Sequence, residues 1–310
     1  MQIGILEPDN FSERAMAALR DLGPVHGFAG GDMAAFLRDK EALFVRLARR
    51  IDEPLLRMAP RLKFLCSPTT GHTHIDEDAL RRRGVALLSL KGERAFLETV
   101  RASPEHAFGL ILALLRRYAQ AFRGLESPDW DRDRYRGVEL YENSVGIVGL
   151  GRMGSAVAGY CRAFGAEVAF VDPSAVPAPP EYRRFTDLTE LLRASRIVVI
   201  CASHEAGRPP ILGAPEIAFL QGKYLVNAAR GELVDEPALL AAIGRDSLAG
   251  VATDVIANET GPNRLGEWLR VAAGRNVIVT PHIAGATVES MGKTEEFVAG
   301  KLAADARQGA

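Results

Sequence analysis

Apolar runs of four or five residues alternate along the chain with longer stretches whose apolar positions recur every three or four residues. This is the pattern of buried strands interleaved with amphipathic helices. In the first part, 3–6, 42–45, 62–66 and 85–88 read as strands, 11–22 as a helix with Ala15, Ala18 and Leu19 inside, and 75–83 as another helix. Strands apolar at nearly every position are buried on both faces, which predicts a parallel sheet covered by helices. Ser103, Pro104 and Glu105 have the chemistry of a helix start. Phe108, Ile111, Leu112, Leu115 and Phe122 extend that start into a stripe, predicting one helix over 103–122 that crosses from one domain to the other. Beyond it, 145–148, 168–171, 197–201, 224–226, 248–253 and 277–279 read as strands of a second sheet. A last helix over 287–305, with Met291, Phe297 and Leu302 inside, is expected to return to the first domain. Residues 124–141 read as a loop with exposed Trp130 and Tyr135, an aromatic arm suited to a subunit contact.

The organising stretch is 144–172, SVGIVGLGRMGSAVAGYCRAFGAEVAFVD. It reads as strand, glycine turn, helix with Val157, Cys161 and Phe164 on one face, closing Gly165, strand and acid. Gly149 permits a tight turn, Gly151 lets the main chain approach a pyrophosphate, and Gly154 lets the helix lie close to the sheet. The free N–H groups of the first helical turn then face the phosphates. Asp172 suits the two ribose hydroxyls and repels a 2′-phosphate, so NAD is expected over NADP. The plainer alternative is an ordinary strand–helix–strand unit, with its glycines there for packing and Asp172 in solvent.

Composition narrows the class. A chain of 310 residues has room for two domains, and its net charge of −1 with mixed signs gives no footprint for nucleic acid or an anionic membrane. Cys66, Cys161 and Cys201 show neither CxxC nor Cys/His ligand spacing, so we expect no metal and no disulfide. The longest apolar stretch, 107–115, is too short for a bilayer, and QIGILE after Met1 lacks a secretory pattern. The expectation is a soluble, cytoplasmic protein.

Four polar residues follow strands of the second sheet: Arg230, Asp254, Glu259 and His282. In a doubly wound sheet such ends gather beside the glycine turn, which points to hydride transfer. Reduction of a carbonyl needs a proton donor, and histidine, with a reference pKa of about 6.5, suits His282 to that role. Glu259 would fix the imidazole, Arg230 would hold a carboxylate in its planar fork, and Asp254 would face the nicotinamide. In the first domain, Arg46 follows a buried strand and is either a ligand-binding cation or half of an ion pair. Thr69, Thr70 and Gly71 form either an amide-lined carboxylate site or a plain turn.

The segments VGIVGLGRMG, YLVNAARGELVDEPALLAAI, LAGVATDVIANE and VIVTPHIAGAT resemble, in the same order, those of the D-isomer-specific 2-hydroxyacid dehydrogenases. The match runs from about residue 42 to the C-terminus and is strongest after 143. The resemblance implies a catalytic set of Arg230, Glu259 and His282. It places NAD on Gly149, Gly151, Arg152, Met153, Gly154, Asp172, Cys201, Ala228, Asp254 and Gly285. It also implies an α/β architecture: a doubly wound Rossmann NAD domain over 96–283, and a smaller flavodoxin-like substrate domain from 1–95 and 284–310. Hinge closure between the two, and a homodimer, go with that arrangement.

FVRLARRID is similar to the phosphoglycerate dehydrogenase branch, making Arg46 a candidate for substrate phosphate or carboxylate. SPTTGHTHID takes the place of the family's glycine-rich substrate loop, where Thr70 and Gly71 would offer amides, and His72 replaces a smaller residue of many relatives. ASHEAGRPPIL departs from the proline-leucine-threonine segment common after the strand 197–201. The implied activity is NAD-dependent interconversion of a D-2-hydroxy acid and its 2-oxo acid. The alternatives are an NAD(H)-binding sensor or scaffold without useful turnover, and a phosphoglycerate-type enzyme with a phosphorylated substrate.

Overall fold

The structure, a computed structural model, describes residues 1–124, 130–205 and 207–308. Part of the expected aromatic arm, 125–129, and one residue of the atypical 202–212 segment lie outside the described residues. The chain divides into two compact units, Met1–Val100 with Ala286–Ala310, and Arg101–Gly285.

The first unit is built on a parallel sheet of β1 (Ile3–Ile5), β2 (Val25–Gly27), β3 (Ala42–Phe44), β4 (Phe64–Ser67) and β5 (Ala86–Ser89), in the order β2-β1-β3-β4-β5. Because successive strand residues point to opposite faces, the apolar runs fill two cores at once. Ile3, Ile5, Phe44 and Cys66 meet Leu19 of the helix Glu13–Arg20 and Val298, Ala299 and Leu302 of the C-terminal helix Val288–Gln308. Leu43, Val45 and Leu65 face the other way, onto Leu37, Leu56 and Leu80. The last helix thus packs on the first unit's sheet, and Phe297 stacks on Phe96 at 4.0 Å between centroids.

The second unit carries β6 (Ser144–Val148), β7 (Glu167–Val171), β8 (Arg183–Phe185), β9 (Ile197–Ile200), β10 (Tyr224–Asn227), β11 (Gly250–Thr253) and β12 (Val277–Val279). The order is β12-β11-β10-β9-β6-β7-β8, and every pairing is parallel. The chain winds outward from β6 to β8, then returns beside β6 to continue the other way, so a crevice opens at the carboxyl ends of β6 and β9. Val145, Ile147 and Val199 pack on the helices Ala102–Leu115 and Arg152–Ala163. Val148, Val198 and Leu225 pack on Leu191, Ile217, Leu239 and Trp268. The expected two-sheet α/β architecture is what forms.

Several local expectations need correction. The strands Val25–Gly27 and Arg183–Phe185 carry no apolar run, since each sits at a sheet edge with most of its residues exposed or half-exposed. The helix expected over 103–122 breaks after Leu115, where Arg117 takes a left-handed φ of 54°, and resumes at Tyr118–Gly124. Both segments belong to the second unit, so the expected crossing from one domain to the other does not occur. Phe164 lies past the end of the glycine-turn helix and is 52% exposed, unlike Val157 and Cys161. Tyr135 is half-buried against Gly124, while Trp130 stands out at 91% exposure. Among the described residues, no helix is long and apolar enough to cross a membrane.

Candidate active site

The glycine turn leaves β6 at the crevice. Gly149 has φ of 90°, and a Cβ there would lie 2.7 Å from Ala202 Cα; one on Gly154 would lie 2.0 Å from Gly149 O. Both glycines are therefore required by the fold itself. Gly151 differs, because a Cβ there meets nothing within 4 Å. That open side lies at the start of a twelve-residue helix whose first N–H groups are turned toward it, as an approaching pyrophosphate needs. Asp172, just past β7, accepts the Leu150 N–H through Oδ2 at 2.8 Å and the Ser174 N–H through Oδ1 at 2.9 Å. These residues fit a dinucleotide.

Arg152 and Met153 open the helix, and burial, with Arg101 adding to it, lowers the Arg152 guanidinium from its ordinary value. Cys201 follows β9, where burial pushes its thiol up to about 12, so it is no thiolate nucleophile. Ala228 is buried just past β10. Gly285 is exposed at the end of the unit.

Three neighbouring strands deliver the polar set. After β10, Asn227 shapes the turn, its Nδ2 donating to Arg230 O at 2.9 Å while its Oδ1 accepts from Ala229 N at 3.1 Å. Arg230 is half-buried there, and its Nη1 donates to Ala229 O at 2.6 Å. Burial lowers its guanidinium from the ordinary value, against the charges of Glu259 and Glu232, which favour the cation. The loop after β11 carries Glu259, and the segment after β12 carries His282 with φ of 54°. His282 Nδ1 and Glu259 Oε2 are 2.6 Å apart. With a carboxylate as its partner, that bond places the imidazole proton on Nδ1 in the neutral ring. Gly231 brings the two loops together, since a Cβ on it would lie 2.0 Å from Ile256 C.

Asp254, 1% exposed, has both oxygens engaged. Oδ1 accepts the Thr280 hydroxyl at 2.6 Å and the Ile283 N–H at 2.9 Å, and Oδ2 accepts the Ala284 N–H at 2.8 Å. Burial opposes its ionisation, but His106, Thr280 and the two amides outweigh that and hold the carboxyl below its ordinary value. These bonds are not visible in the sequence pattern that sets Asp254 at a strand end, and neither is His106. Nothing local marks a histidine in the first turns of a helix as a partner for a strand end some 150 residues away.

In the first unit, Arg46 takes the ion-pair alternative. Its Nη2 lies 2.5 Å from Glu295 Oε1, Nε donates to the same oxygen at 3.0 Å, and Nη1 donates to Asp9 O at 2.9 Å. Glu295 is 1% exposed, and burial raises its carboxyl above the ordinary value despite the Ser12 amide and Arg46. Thr70 is exposed and Gly71 half-buried; the neighbouring Thr69 hydroxyl bonds Ser67 Oγ at 2.8 Å and donates to Gly71 O at 3.1 Å. His72 Nδ1 lies 2.8 Å from Glu77 Oε1, which holds Glu77 below its ordinary value.

Residues 108–284 match the model of the D-isomer specific 2-hydroxyacid dehydrogenase NAD binding domain. The chain is 34% identical over 307 residues to D-3-phosphoglycerate dehydrogenase of Mycobacterium leprae, covering 95% of this chain and 55% of that protein. It thus spans about half the length of that relative. It is 30% identical over 278 residues to glyoxylate reductase of Thermococcus gammatolerans, covering 86% of this chain and 80% of that one. Its structure is similar to that of D-lactate dehydrogenase from Aquifex aeolicus complexed with NAD and lactic acid, with a TM-score of 0.84 and 25% identity over 99% of this chain and 96% of the other. With its NAD-binding domain matched over more than half its length, the chain belongs to the D-isomer specific 2-hydroxyacid dehydrogenase family.

Proposed function

We propose that the protein interconverts a D-2-hydroxy acid and its 2-oxo acid with NAD as coenzyme. One observation carries this reading: an imidazole fixed at 2.6 Å to Glu259, on the same sheet edge as Arg230 and the glycine turn. NAD supplies the hydride acceptor for oxidation and, as NADH, the donor for reduction. His282 holds the proton at Nε2 and exchanges it with the substrate oxygen at C2. Glu259 keeps the ring's orientation through its bond to the far nitrogen. Arg230 offers two parallel N–H donors to the substrate carboxylate and draws charge from the carbonyl.

The test is turnover of a 2-oxo acid panel with NADH. His282→Ala should lower kcat by about 10² to 10⁴, and Arg230→Ala should raise KM for the 2-oxo acid. Unchanged turnover in both variants rejects the reading. Similarity to a phosphoglycerate dehydrogenase favours a phosphorylated substrate as the second reading. The engagement of Arg46 by Glu295 weighs against it. Side-by-side rates with phosphorylated and plain hydroxy acids separate the two.

A homodimer in the cytoplasm completes the proposal. Phe122, Tyr141 and Phe164 of the second unit are 68%, 59% and 52% exposed, and Phe164 lies edge-on to Phe108, so the surface is apolar enough to favour covering by a second copy. Free Cys66, Cys161 and Cys201 suit a reducing compartment. Light scattering of the purified protein reads the oligomeric state directly.

A further inference from the structure

The short strap from Thr280 to Ala284 carries His282 in a left-handed conformation, and a single buried carboxylate holds it. Asp254 accepts the Thr280 hydroxyl and the Ile283 and Ala284 amides on its side chain, and the His282 amide on its own main-chain carbonyl at 2.8 Å. A residue other than glycine keeps such a φ only where its surroundings over-determine it. The strap's bonds to Asp254 supply that constraint, so the placement of the imidazole depends on how firmly Asp254 itself is oriented.

No lysine or arginine pairs with Asp254 among the described residues. The basic group beside it is His106, on the helix Ala102–Leu115, whose Nε2 lies 3.3 Å from Asp254 Oδ1 and 3.3 Å from Thr280 Oγ1. That helix is anchored in the core by Ala107, Leu110, Ile111 and Leu114, so His106 reaches the carboxylate from a fixed support and not from the strap. The proposed reaction uses His282, Glu259 and Arg230, and assigns His106 nothing.

We infer that His106 is a positioning residue for His282: its Nε2–H donates to the Asp254–Thr280 pair and locks the carboxylate that pins the strap. This rests on the proposed role of His282. Without that donor, Asp254 Oδ1 keeps two donors, its carboxylate turns more freely, and the strap no longer holds the imidazole on Glu259. Thr280 acts in the same assembly, being bonded to both groups. A purely packing role for His106 would not require a hydrogen-bond donor at this point.

The test compares His106→Leu with His106→Gln, whose amide nitrogen reaches close to the position of Nε2. Two readouts are taken: steady-state rates, and the downfield Nδ1–H proton resonance of His282 in the protein without substrate. His106→Leu should lower kcat about tenfold to a hundredfold, as misplacement of a catalytic group does. It should also broaden or shift the His282 resonance, and His106→Gln should restore both. If the leucine variant does not fold, His106→Asn, too short to reach Asp254, takes its place. Equal loss in the glutamine and leucine variants, or an unchanged His282 resonance in the leucine variant, overturns the inference. Should the wild-type protein turn over no 2-oxo acid while the resonance still responds to His106→Leu and recovers in His106→Gln, the proposed reaction fails and the positioning contact stands.

Discussion

Asp172 Oδ2 accepts the Leu150 N–H at 2.8 Å, so the acid that ends one strand is bonded to the glycine turn that leaves its neighbour. The carboxylate is already oriented, with its other oxygen on Ser174 N. Asp172→Ala should raise KM for NAD about tenfold, the scale of one charge-assisted hydrogen bond, and lower KM for NADP by removing the charge that repels a 2′-phosphate. Initial rates with both coenzymes check this, and an unaltered NAD to NADP ratio contradicts the assignment.

Arg46 and Glu295 make a different prediction, because a cation that neutralises a buried carboxylate is part of the fold. Arg46→Ala strands Glu295 and should cost about 3 kcal/mol or more. Glu295→Gln should remove most of that penalty, so the double variant will be more stable than Arg46→Ala alone. Urea unfolding of the four proteins in the cycle gives the coupling.

The buried carboxylates set opposite pH dependences. Asp254 sits below its ordinary value, so its stabilisation is fully present above the unfolded-state value and is lost as pH falls through the depressed one. Glu295 sits above its ordinary value, so its contribution is present below the unfolded-state value and declines as pH rises through the raised one. Melting temperature against pH should therefore fall less steeply on the acid side in Asp254→Asn than in the wild type. In Glu295→Gln it should lose part of its decline toward neutral pH.

Two glycines separate fold from ligand. Gly231→Ala forces a Cβ to 2.0 Å from Ile256 C and 2.2 Å from Ala257 N, so it should cost about 1–3 kcal/mol as overpacking does. It should also lower kcat, by spreading the loops that carry Arg230 and Glu259. Gly151→Ala meets no protein atom within 4 Å, so melting should stay within about half a kcal/mol of wild type, while NADH affinity measured by fluorescence titration falls.

The parts legible in the sequence are those fixed by neighbouring residues. Gly149, Gly151, Gly154 and Asp172 fall within one strand–turn–helix–strand unit, and the central strands are apolar because helices cover both their faces. The sequence groups Asp254, Glu259 and His282 because strand ends in a parallel sheet share an edge. What stayed hidden depends on distant partners. Arg46 and Glu295 are 249 positions apart, so the sequence left the ion pair and the ligand contact equally open. Among the described residues the strand Val25–Gly27 pairs only with β1 and needs no apolar run of its own, and Arg117 interrupts a stripe whose periodicity continues beyond it. The turn at Asn227 could have been inferred, since asparagine commonly bonds its own main chain two residues on.

The left-handed φ of His282 has a consequence for how this chain can be improved. Asparagine or glycine would occupy that backbone geometry at lower cost. A search for thermostable variants that ignores turnover should therefore be drawn to this position and discard its imidazole, so stability and reactivity compete for the same residue.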